Sequence, residues 1–407
     1  MHMTRYARTK VAGLAVAAVT AATALTAPTA GAAPHPAPAE AVNSASNSGT
    51  STAVDTGHDA TRRAMRAVVA SGLPGIVVEA RDGHGSWRAA EGVGNLRTGA
   101  PRDHDERFRT GSIAKTFVAT VLLQLEAEGG LDLDDTVERW LPGLVRGNGN
   151  DGREITVRQL LNQSSGLFDY LSDEEFRRTY MVGEGFLKHR YDTLPPTARV
   201  RAALAHPPVF APGTRHAYSN TNYVLAALVI ERATGHSYES QVRARIINPL
   251  GLHATSNPGT GIRLPRPSSR SYGKLFAAKP DRIDDVTEIN GSQAWGDGDI
   301  VSSTGDLNRF YRALLRGRLL PPGALKAMKT VLPVPEDPTQ AYGLGLTRLT
   351  TSCGTVLWGH LGQLQGTLSL ALTTEDGRHQ LAFNTNGDWE TRALPDVING
   401  EYCPKGP

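Results

Sequence analysis

The sequence predicts an α/β protein of the α+β type, in which one antiparallel sheet is built from both chain ends. Helices flank this sheet, and a mostly helical region is inserted into it. Short strand-like runs lie at 75–80 and 86–92 and again at 355–358, 366–373 and 380–384. The stretch between them has the apolar spacing of helices. The economical arrangement is therefore a single sheet that both ends of the chain complete.

The first 32 residues predict a secretory signal peptide that is not part of this fold. A basic head precedes an uncharged apolar stretch at 11–25, and small residues follow at 30–33. The apolar stretch is shorter than the roughly 20 residues that a membrane helix needs. We therefore expect a secreted protein, extracellular or in the cell-wall space. A flexible Ala/Pro/Ser linker is predicted at 33–56 and a folded domain at 57–407.

The charge balance argues against a nucleic-acid-binding protein. The chain has 43 basic and 40 acidic residues, and three of the basic but none of the acidic ones precede residue 33. The mature chain is thus close to neutral, whereas a nucleic-acid site needs a basic stripe. No later segment has about 18 uninterrupted apolar residues, so no membrane span is expected in the mature chain. The sequence does not indicate the oligomeric state.

Helices are predicted where apolar residues recur with the helical period. The first runs over about 112–128 and ends at the glycine pair 129–130. A helical subdomain is expected over about 130–285. Further helices are predicted at 156–161, 222–234, 307–315, 322–328 and 390–401.

Two cysteines occur in the whole chain, Cys353 and Cys403. An even number in an exported protein favours a disulfide, and two buried free thiols are the alternative. A bridge would close a loop of about 50 residues and pin the C-terminal end to the strand region around Cys353.

The first candidate for chemistry is a serine at the start of a predicted helix. Ser112 lies where unpaired backbone amides create a favourable field, and Lys115 follows one turn later on the same face. A serine hydroxyl needs a base, and a lysine can be that base when burial and nearby cations lower its pKa. Ser271 and Lys274 have the same spacing, but the surrounding glycine and loop residues predict no helix and hence no catalytic role.

Two further elements could face the same cleft. Tyr218 and Asn220 precede a predicted helix, where a phenol can pass on the serine proton and an amide can orient lysine and substrate. His360 and Gly362 follow the strand at 355–358. A glycine at a strand edge lets a substrate backbone approach, and a histidine can relay protons or act as a cation. Taken alone, a packed turn tyrosine and a hydrogen-bonded core histidine are the simpler interpretations.

Together these residues resemble the penicillin-recognising serine enzymes, which include D-alanyl-D-alanine carboxypeptidases, class C β-lactamases and related esterases. That family has Ser-x-x-Lys, Tyr-x-Asn and Lys-Thr-Gly or His-x-Gly in this order. The stretch 160–167 is similar to the family's Leu-Leu-x-His-Thr-Ser-Gly-Leu block, with Gln163 in place of the histidine. The stretch 342–345, the cysteine spacing and the histidine form of the third motif are most similar to secreted streptomycete D-Ala-D-Ala carboxypeptidases.

The resemblance implies a β-lactamase/transpeptidase-like fold and hydrolysis through an acyl-enzyme. It implies that Ser112 is acylated, that Lys115 and Tyr218 move protons, and that Asn220 holds the substrate amide. His360 would supply positive character.

The resemblance also implies where the substrate binds. The oxyanion hole would consist of the backbone amides of Ser112 and Gln363. The implied substrate-binding residues are Gly362, Gln363, Trp295, Phe176 and Thr179.

The activity implied most directly is that of a D-alanyl-D-alanine carboxypeptidase on peptidoglycan stem peptides, with small peptides, esters or β-lactams as substrates. Two departures from the family pattern weaken this assignment. Close relatives bind the substrate carboxylate with a hydroxyl residue and an arginine, and this chain has Leu361 and Thr347 at those positions. An esterase, a D-amino-acid amidase, and a penicillin- or wall-binding module with little turnover are the alternatives.

No metal or other cofactor is expected. The glycines of 147–152 match a nucleotide-binding spacing, but no predicted strand leads into them.

Overall fold

The computed structural model describes residues 57–404. The predicted signal peptide at 1–32 and the predicted linker at 33–56 lie outside the described residues. Within the described range, no helix is long and apolar enough to cross a membrane.

Strands and helices of the described chain are numbered in chain order. The strands are β1 (Gly75–Arg81), β2 (Ser86–Gly92), β3 (Phe108–Arg109), β4 (Arg146–Gly147), β5 (Asn150–Asp151), β6 (Tyr272–Gly273), β7 (Asp284–Asp285), β8 (Val301–Ser302), β9 (Leu332–Pro333), β10 (Gln340–Tyr342), β11 (Thr347–Thr350), β12 (Val356–Leu364), β13 (Thr367–Thr374) and β14 (Gln380–Thr385). The α-helices are α1 (Asp59–Ala70), α2 (Ala114–Ala127), α3 (Val137–Trp140), α4 (Val157–Leu161), α5 (Glu174–Tyr180), α6 (Gly183–His189), α7 (Pro196–Leu204), α8 (Asn220–Thr234), α9 (Tyr238–Val242), α10 (Asn248–Leu250), α11 (Thr304–Leu315), α12 (Pro322–Met328) and α13 (Leu394–Tyr402). Short 3₁₀ turns cover Gly111–Ile113, Tyr170–Ser172 and Gly291–Ala294, and a π-helical turn covers Arg243–Ile247.

The predicted antiparallel sheet from both chain ends is confirmed. Eight strands pair in the order β2-β1-β14-β13-β12-β11-β10-β9. Every pairing between these neighbours is antiparallel. In the pairing next to the edge strand β2, Ile76 of β1 lies opposite Thr385 of β14, so the two ends of the described chain pair with each other inside the sheet.

Successive residues of each strand face two different apolar clusters, as the two-residue period of a strand requires. In β1, Ile76 and Val78 pack with α1 and α13, and we call this side the terminal-helix face. Val77 instead packs in the larger cluster that contains α2 and α11, and we call this side the α2 face. The side of the sheet to which a strand residue belongs can therefore be read from its cluster.

A buried carboxylate fastens α1 to α13 on the terminal-helix face. Glu401 accepts hydrogen bonds from Thr61 Oγ1 at 2.8 Å and pairs with His58 Nδ1 at 2.9 Å and His379 Nε2 at 2.6 Å. Bonds from both histidines lower the pKa of Glu401 to about 2, against the opposing effect of its burial. The carboxylate is thus charged and fully bonded, as a buried charge has to be.

The two helices that begin at predicted site residues, α2 and α8, are buried on nearly all sides. A helix that is apolar all round belongs in a core. Because their first turns are fixed by this packing, side chains at 112–115 and at 220 have little freedom to move.

One predicted strand is longer than expected. The strand predicted to end at Trp358 continues as β12 to Leu364, so the His360-Gly362 motif lies within a strand. Glycine disfavours strands locally, but Gly359 and Gly362 pair with Leu372 and Ser369 of β13. Pairing with a long neighbouring strand outweighs that local preference.

The predicted disulfide between Cys353 and Cys403 is present, and the described residues contain no free cysteine. It joins the turn between β11 and β12 to the end of α13, and the two cysteines are 50 positions apart in sequence. A loop of this length has appreciable entropy in the unfolded chain, which the cross-link removes.

We predict that replacing both cysteines, C353S with C403S, lowers the free energy of unfolding by about 2–4 kcal/mol. The measurement is urea denaturation of the double variant and the wild type under non-reducing conditions. Ser352→Ala, an exposed change beside the bridge, is the control and is expected to unfold like the wild type. Equal midpoints for the double variant and the wild type would show that the bridge contributes no stability.

Candidate active site

The structure brings Ser112 and Lys115 into direct contact. Ser112 lies in the 3₁₀ turn Gly111–Ile113, immediately before α2, and Lys115 lies in the first turn of that helix. Lys115 Nζ is 2.9 Å from Ser112 Oγ. The three-residue spacing thus places both side chains on one face of the turn, as expected for a helical geometry.

Lys115 is fully buried and its ammonium group is surrounded by oxygen atoms. Besides Ser112 Oγ, its Nζ donates to Asn220 Oδ1 and to the backbone carbonyl of Asp297, each at 2.7 Å. Burial lowers the pKa of Lys115 to about 8, against the charges of Asp297 and Asp169, which raise it. An amine with this pKa is neutral in an appreciable fraction of molecules near neutral pH and can then accept a proton.

Tyr218 contacts the same serine. Its phenol interacts with the Ser112 hydroxyl, and Lys115 Nζ lies 5.2 Å from the centre of its ring. Burial raises the pKa of the Tyr218 phenol well above its ordinary value. The phenol therefore keeps its proton at neutral pH, so it can pass a proton on but cannot serve as a phenolate base.

Asn220, the first residue of α8, has protein partners at both ends of its amide. Its Oδ1 accepts from Lys115, and its Nδ2 donates to Asp169 Oδ2 at 3.1 Å. The backbone N–H of Asn220 donates to the same carboxylate at 3.2 Å. Asn220 therefore orients Lys115, and Asp169 in turn orients Asn220.

Two carboxylates of this cluster, the buried Asp297 and the partly buried Asp169, were not revealed by the sequence patterns. Burial raises the pKa of Asp169 to about 6, so it is mostly ionised at neutral pH. Asp297 Oδ2 accepts from the Tyr170 hydroxyl at 2.5 Å, while its carbonyl binds Lys115. Their position was the available signal, because Asp169 closely follows the 160–167 block and Asp297 lies two residues after Trp295.

The 160–167 block holds the loop that carries Tyr218. Gln163 is fully buried, and its Oε1 accepts from Ser219 N at 3.0 Å and from Asn222 Nδ2 at 2.6 Å. Its backbone carbonyl accepts from Ala217 N at 3.0 Å. Gln163 thus has bonds on both sides of Tyr218, which fixes the path of the loop past Ser112.

The expectation that His360 supplies positive character is wrong. The side chain is 3% exposed, and burial together with the charge of Lys115 lowers its pKa to about 3. Its Nδ1 is 2.5 Å from the Leu361 carbonyl, which can only accept, so Nδ1 carries the proton. Its Nε2 then accepts from the Tyr342 hydroxyl at 2.9 Å. His360 is a neutral imidazole between two fixed partners.

Gly362 and Gly111 allow β12 to lie directly against the serine turn. A Cβ on Gly362 would stand 1.8 Å from the Thr110 carbonyl oxygen and 2.8 Å from the Ser112 backbone nitrogen. Gly111 has φ +56°, and a Cβ there would stand 2.6 Å from the Gln363 backbone nitrogen. Any side chain at either position would force the two backbones apart, so the amides of Ser112 and Gln363 depend on these glycines to lie close together.

Leu361 and Thr347 belong to the other side of the sheet. Leu361 packs against the terminal-helix cluster, and Thr347 shares its strand face with Leu349, which is part of that cluster. Neither position presents a cation beside Ser112. Arg348 lies on the α2 face opposite Trp358 and is exposed.

The predicted cleft-lining residues differ in burial and in their neighbours. Phe176 is buried in α5, edge-on to Tyr170 with ring centres 5.0 Å apart. Trp295 lies two residues before Asp297 and packs edge-on to Tyr238 at 5.2 Å. Thr179 is partly exposed in the second half of α5.

The second Ser-x-x-Lys sequence is not a helix, as predicted. Ser271 directly precedes β6, and its backbone N–H donates to Thr287 Oγ1 at 2.9 Å. Lys274 Nζ lies 5.6 Å from the centre of the Trp389 ring.

Metal-ligand side chains occur together at another surface. Among residues 57–404, the group whose donor atoms lie within 4.8 Å of one another is Asp103, His104 and Asp105, and all three are exposed. None of them belongs to the cluster around Ser112.

Comparison with known proteins gives concordant matches. Residues 61–396 match the Beta-lactamase family. A D-stereospecific amidohydrolase from Streptomyces sp. is 50% identical, with a TM-score of 0.81, over 85% of this chain and 99% of that chain. The D-amino acid amidase from Ochrobactrum anthropi SV3, complexed with L-phenylalanine amide, is 29% identical with a TM-score of 0.74, over 86% and 99% of the two chains.

A curated relative, penicillin-binding protein 4* of Bacillus subtilis (strain 168), is 26% identical over 326 residues, which are 78% of this chain. The chain spans 69% of the length of that relative and about half the length of several other curated relatives that it matches.

We predict that Gln163→Met lowers the free energy of unfolding by about 1–3 kcal/mol, because Ser219 N and Asn222 Nδ2 lose their acceptor while buried. Methionine has a similar length and no greater difficulty with the left-handed backbone at this position. The measurement is urea denaturation. Gln241→Met is the control, since its Oε1 accepts one bond from the partly exposed Arg245. Equal losses in both variants would contradict the special role of Gln163.

Proposed function

This chain belongs to the Beta-lactamase family of penicillin-recognising serine hydrolases, and we propose that it hydrolyses D-aminoacyl amides and esters through an acyl-enzyme on Ser112. The observation that carries the proposal is the 2.9 Å contact between Ser112 Oγ and the buried Lys115 Nζ. It occurs in a chain that is 50% identical to a D-stereospecific amidohydrolase. The amidase alternative is thus favoured over the carboxypeptidase that the sequence motifs implied.

In the acylation step, neutral Lys115 accepts the Ser112 proton as Oγ attacks the carbonyl carbon of the substrate. A neutral amine is required, and the pKa of Lys115 of about 8 supports this role. Tyr218 donates its proton to the leaving nitrogen, or to the leaving oxygen of an ester, and regains one from the Lys115 ammonium. The position of the phenol beside Ser112 and Lys115 supports this relay. Ammonia, an amine or an alcohol departs, and Ser112 is left acylated.

Deacylation reverses the proton movements with water as the nucleophile. Water attacks the acyl carbon, its proton passes to the basic group that served in acylation, and Ser112 Oγ leaves with a proton. The D-amino acid is released and the serine is regenerated. The bonds of Asn220 and Asp297 to Lys115 support this cycle, because they hold the amine in place in both of its protonation states.

The charge on the tetrahedral intermediate requires preorganised donors. The backbone N–H groups of Ser112 and Gln363 are the proposed pair, and the close approach of the two backbones at Gly111 and Gly362 supports it. Removing one donor from such a site typically lowers kcat by about 10²–10³.

The positions expected to bind a substrate carboxylate carry no positive charge, which supports amides and esters over peptides that end in a carboxylate. His360 carries no charge, while Leu361 and Thr347 face the opposite side of the sheet. A carboxylate that loses its water without gaining a charged partner is penalised, whereas a carboxamide or ester is not. Phe176 and Trp295 are the aromatic residues proposed to contact the substrate, with Thr179 at the margin.

We propose in addition that the enzyme is exported. The predicted signal peptide and the disulfide support this location, because disulfides persist in oxidising compartments.

The proposed function predicts that kcat/KM for D-alanine amide exceeds that for L-alanine amide and for an acyl-D-Ala-D-Ala peptide by at least about tenfold each, or roughly 1.4 kcal/mol. The measurement is the initial rate with the three substrates and with D-alanine methyl ester. Cleavage of the D-Ala-D-Ala peptide as efficient as that of D-alanine amide would instead support a carboxypeptidase activity. Stoichiometric labelling by a penicillin without turnover of any substrate would instead indicate a binding module.

Ser112→Ala is predicted to lower amide hydrolysis at least about a thousandfold and to abolish covalent labelling by a fluorescent penicillin, because Ser112 carries the hydroxyl that Lys115 contacts. Ser271→Ala is the matched control and is expected to hydrolyse and label normally. Peptide mapping of the labelled wild type identifies the acylated residue. Labelling of the Ser112 variant at the wild-type level would refute the mechanism.

The pKa of Lys115 sets the direction of the pH dependence. Below about pH 8 the amine is protonated, so kcat/KM is predicted to rise about tenfold per pH unit and to level off above pH 8. Lys115→Arg should lose most activity at every pH, since a guanidinium does not give up its proton. Lys274→Arg is the control and should keep the wild-type profile. A flat profile between pH 6 and 9, measured with the amide, would exclude Lys115 as the base.

A further inference from the structure

A second cleft, of about 600 Å³, lies between the β1–β2 hairpin and α11. None of the residues that line it belongs to the cluster around Ser112. We call it the arginine cleft, because six arginines line it: Arg81, Arg88, Arg309, Arg312, Arg316 and Arg318.

The helical period explains why three of these arginines share one side of α11. Arg309, Arg312 and Arg316 follow at intervals of three and four residues, which places them on one helix face. Leu307, Phe310 and Leu314 of the same helix are buried in the α2-face cluster. The apolar face therefore fixes the helix on the sheet, and its opposite face presents guanidinium groups to the cleft.

The hairpin supplies the other wall. Glu79 and Arg88 pair across β1 and β2, and Arg88 Nε is 2.9 Å from Glu79 Oε2. Asn308 Nδ2 donates to the Glu79 carbonyl at 2.9 Å, which ties α11 to this strand. Arg81 extends from the exposed end of β1. The walls are thus held at a fixed distance by bonds that do not involve the remaining arginines.

Positive charge in the cleft is not balanced by the protein. Glu79 is the carboxylate that lines the cleft, and it is paired with Arg88. Arg309 pairs with Asp306, which is not one of the lining residues. Within residues 57–404, no carboxylate lies within 4.0 Å of the guanidinium groups of Arg81, Arg312, Arg316 and Arg318. Partial burial and the charges of Arg81, Arg316 and Arg318 lower the pKa of Arg312. The folded protein therefore keeps like charges close together at a cost in stability.

We propose that the arginine cleft binds a multivalent phosphate-type anion, either a free oligophosphate or the phosphodiester groups of a polymer. Guanidinium groups form paired hydrogen bonds with phosphate oxygens, and several converging forks match several negative charges. The volume lies within the roughly 300–1,000 Å³ of small-molecule sites. Because the chain as a whole is nearly balanced, with 43 basic and 40 acidic residues, this local excess is not a by-product of a basic protein.

Calorimetric titration with sodium tripolyphosphate at low ionic strength tests the proposal on the intact protein. The wild type is expected to bind, and the double variant Arg312→Gln/Arg316→Gln is expected to bind at least tenfold more weakly. Arg232→Gln/Arg243→Gln removes the same charge from exposed sites outside the cleft and is expected to stay within twofold of the wild type. Thermal unfolding of all three proteins identifies any variant that fails to fold.

Poly(glycerol phosphate) in the same titration distinguishes the two sources of the anion. Tighter binding per phosphate than tripolyphosphate assigns a polymer, and weaker binding assigns a free oligophosphate. Absence of binding to both probes by the folded wild type overturns the proposal. Equal losses of affinity in the cleft variant and in the control variant overturn it as well, because the attraction would then be that of the whole surface.

Discussion

The arrangement of the site depends on one buried amine. Lys115 has lost its water and gained three oxygen partners from three separate parts of the chain, namely Ser112, Asn220 and Asp297. A buried charge without such partners would be strongly unfavourable. The requirement to satisfy it ties the serine turn, the start of α8 and the 295–299 loop to one point. The same burial lowers the pKa of the amine. Burial is therefore the common cause of the fixed position of Lys115 and of its ability to accept a proton.

Short-range patterns predicted the parts of the site that are close in sequence. Ser112 and Lys115 are three residues apart at a helix start, and Tyr218 and Asn220 are two apart before another helix, so local geometry brings each pair together. Asp169 has no such local partner. It reaches the cluster because α8 begins beside the 3₁₀ turn Tyr170–Ser172, and that juxtaposition is a property of tertiary packing. Spacing alone therefore could not identify it.

Charge states were the least predictable property. His360 was expected to be a cation because histidines near catalytic serines can be, yet its burial next to Lys115 keeps it neutral. The arginine cleft could not be predicted either, because a balanced total charge does not show where the individual charges lie. The sheet, by contrast, was predicted from the strand-like runs at both chain ends. Helix α1 was not predicted, although Ala64, Met65 and Val68 have helical spacing.

The pairing of β1 with β14 determines the order in which the molecule can assemble. Ile76 and Thr385 face one another one strand in from the β2 edge of the sheet, although most of the described chain separates them. Contacts of such long range form slowly, whereas helical segments such as α2 and α8 involve neighbours in sequence. Until β14 arrives, one edge of the β1–β2 hairpin has unpaired backbone groups, and such an edge is open to association with other chains.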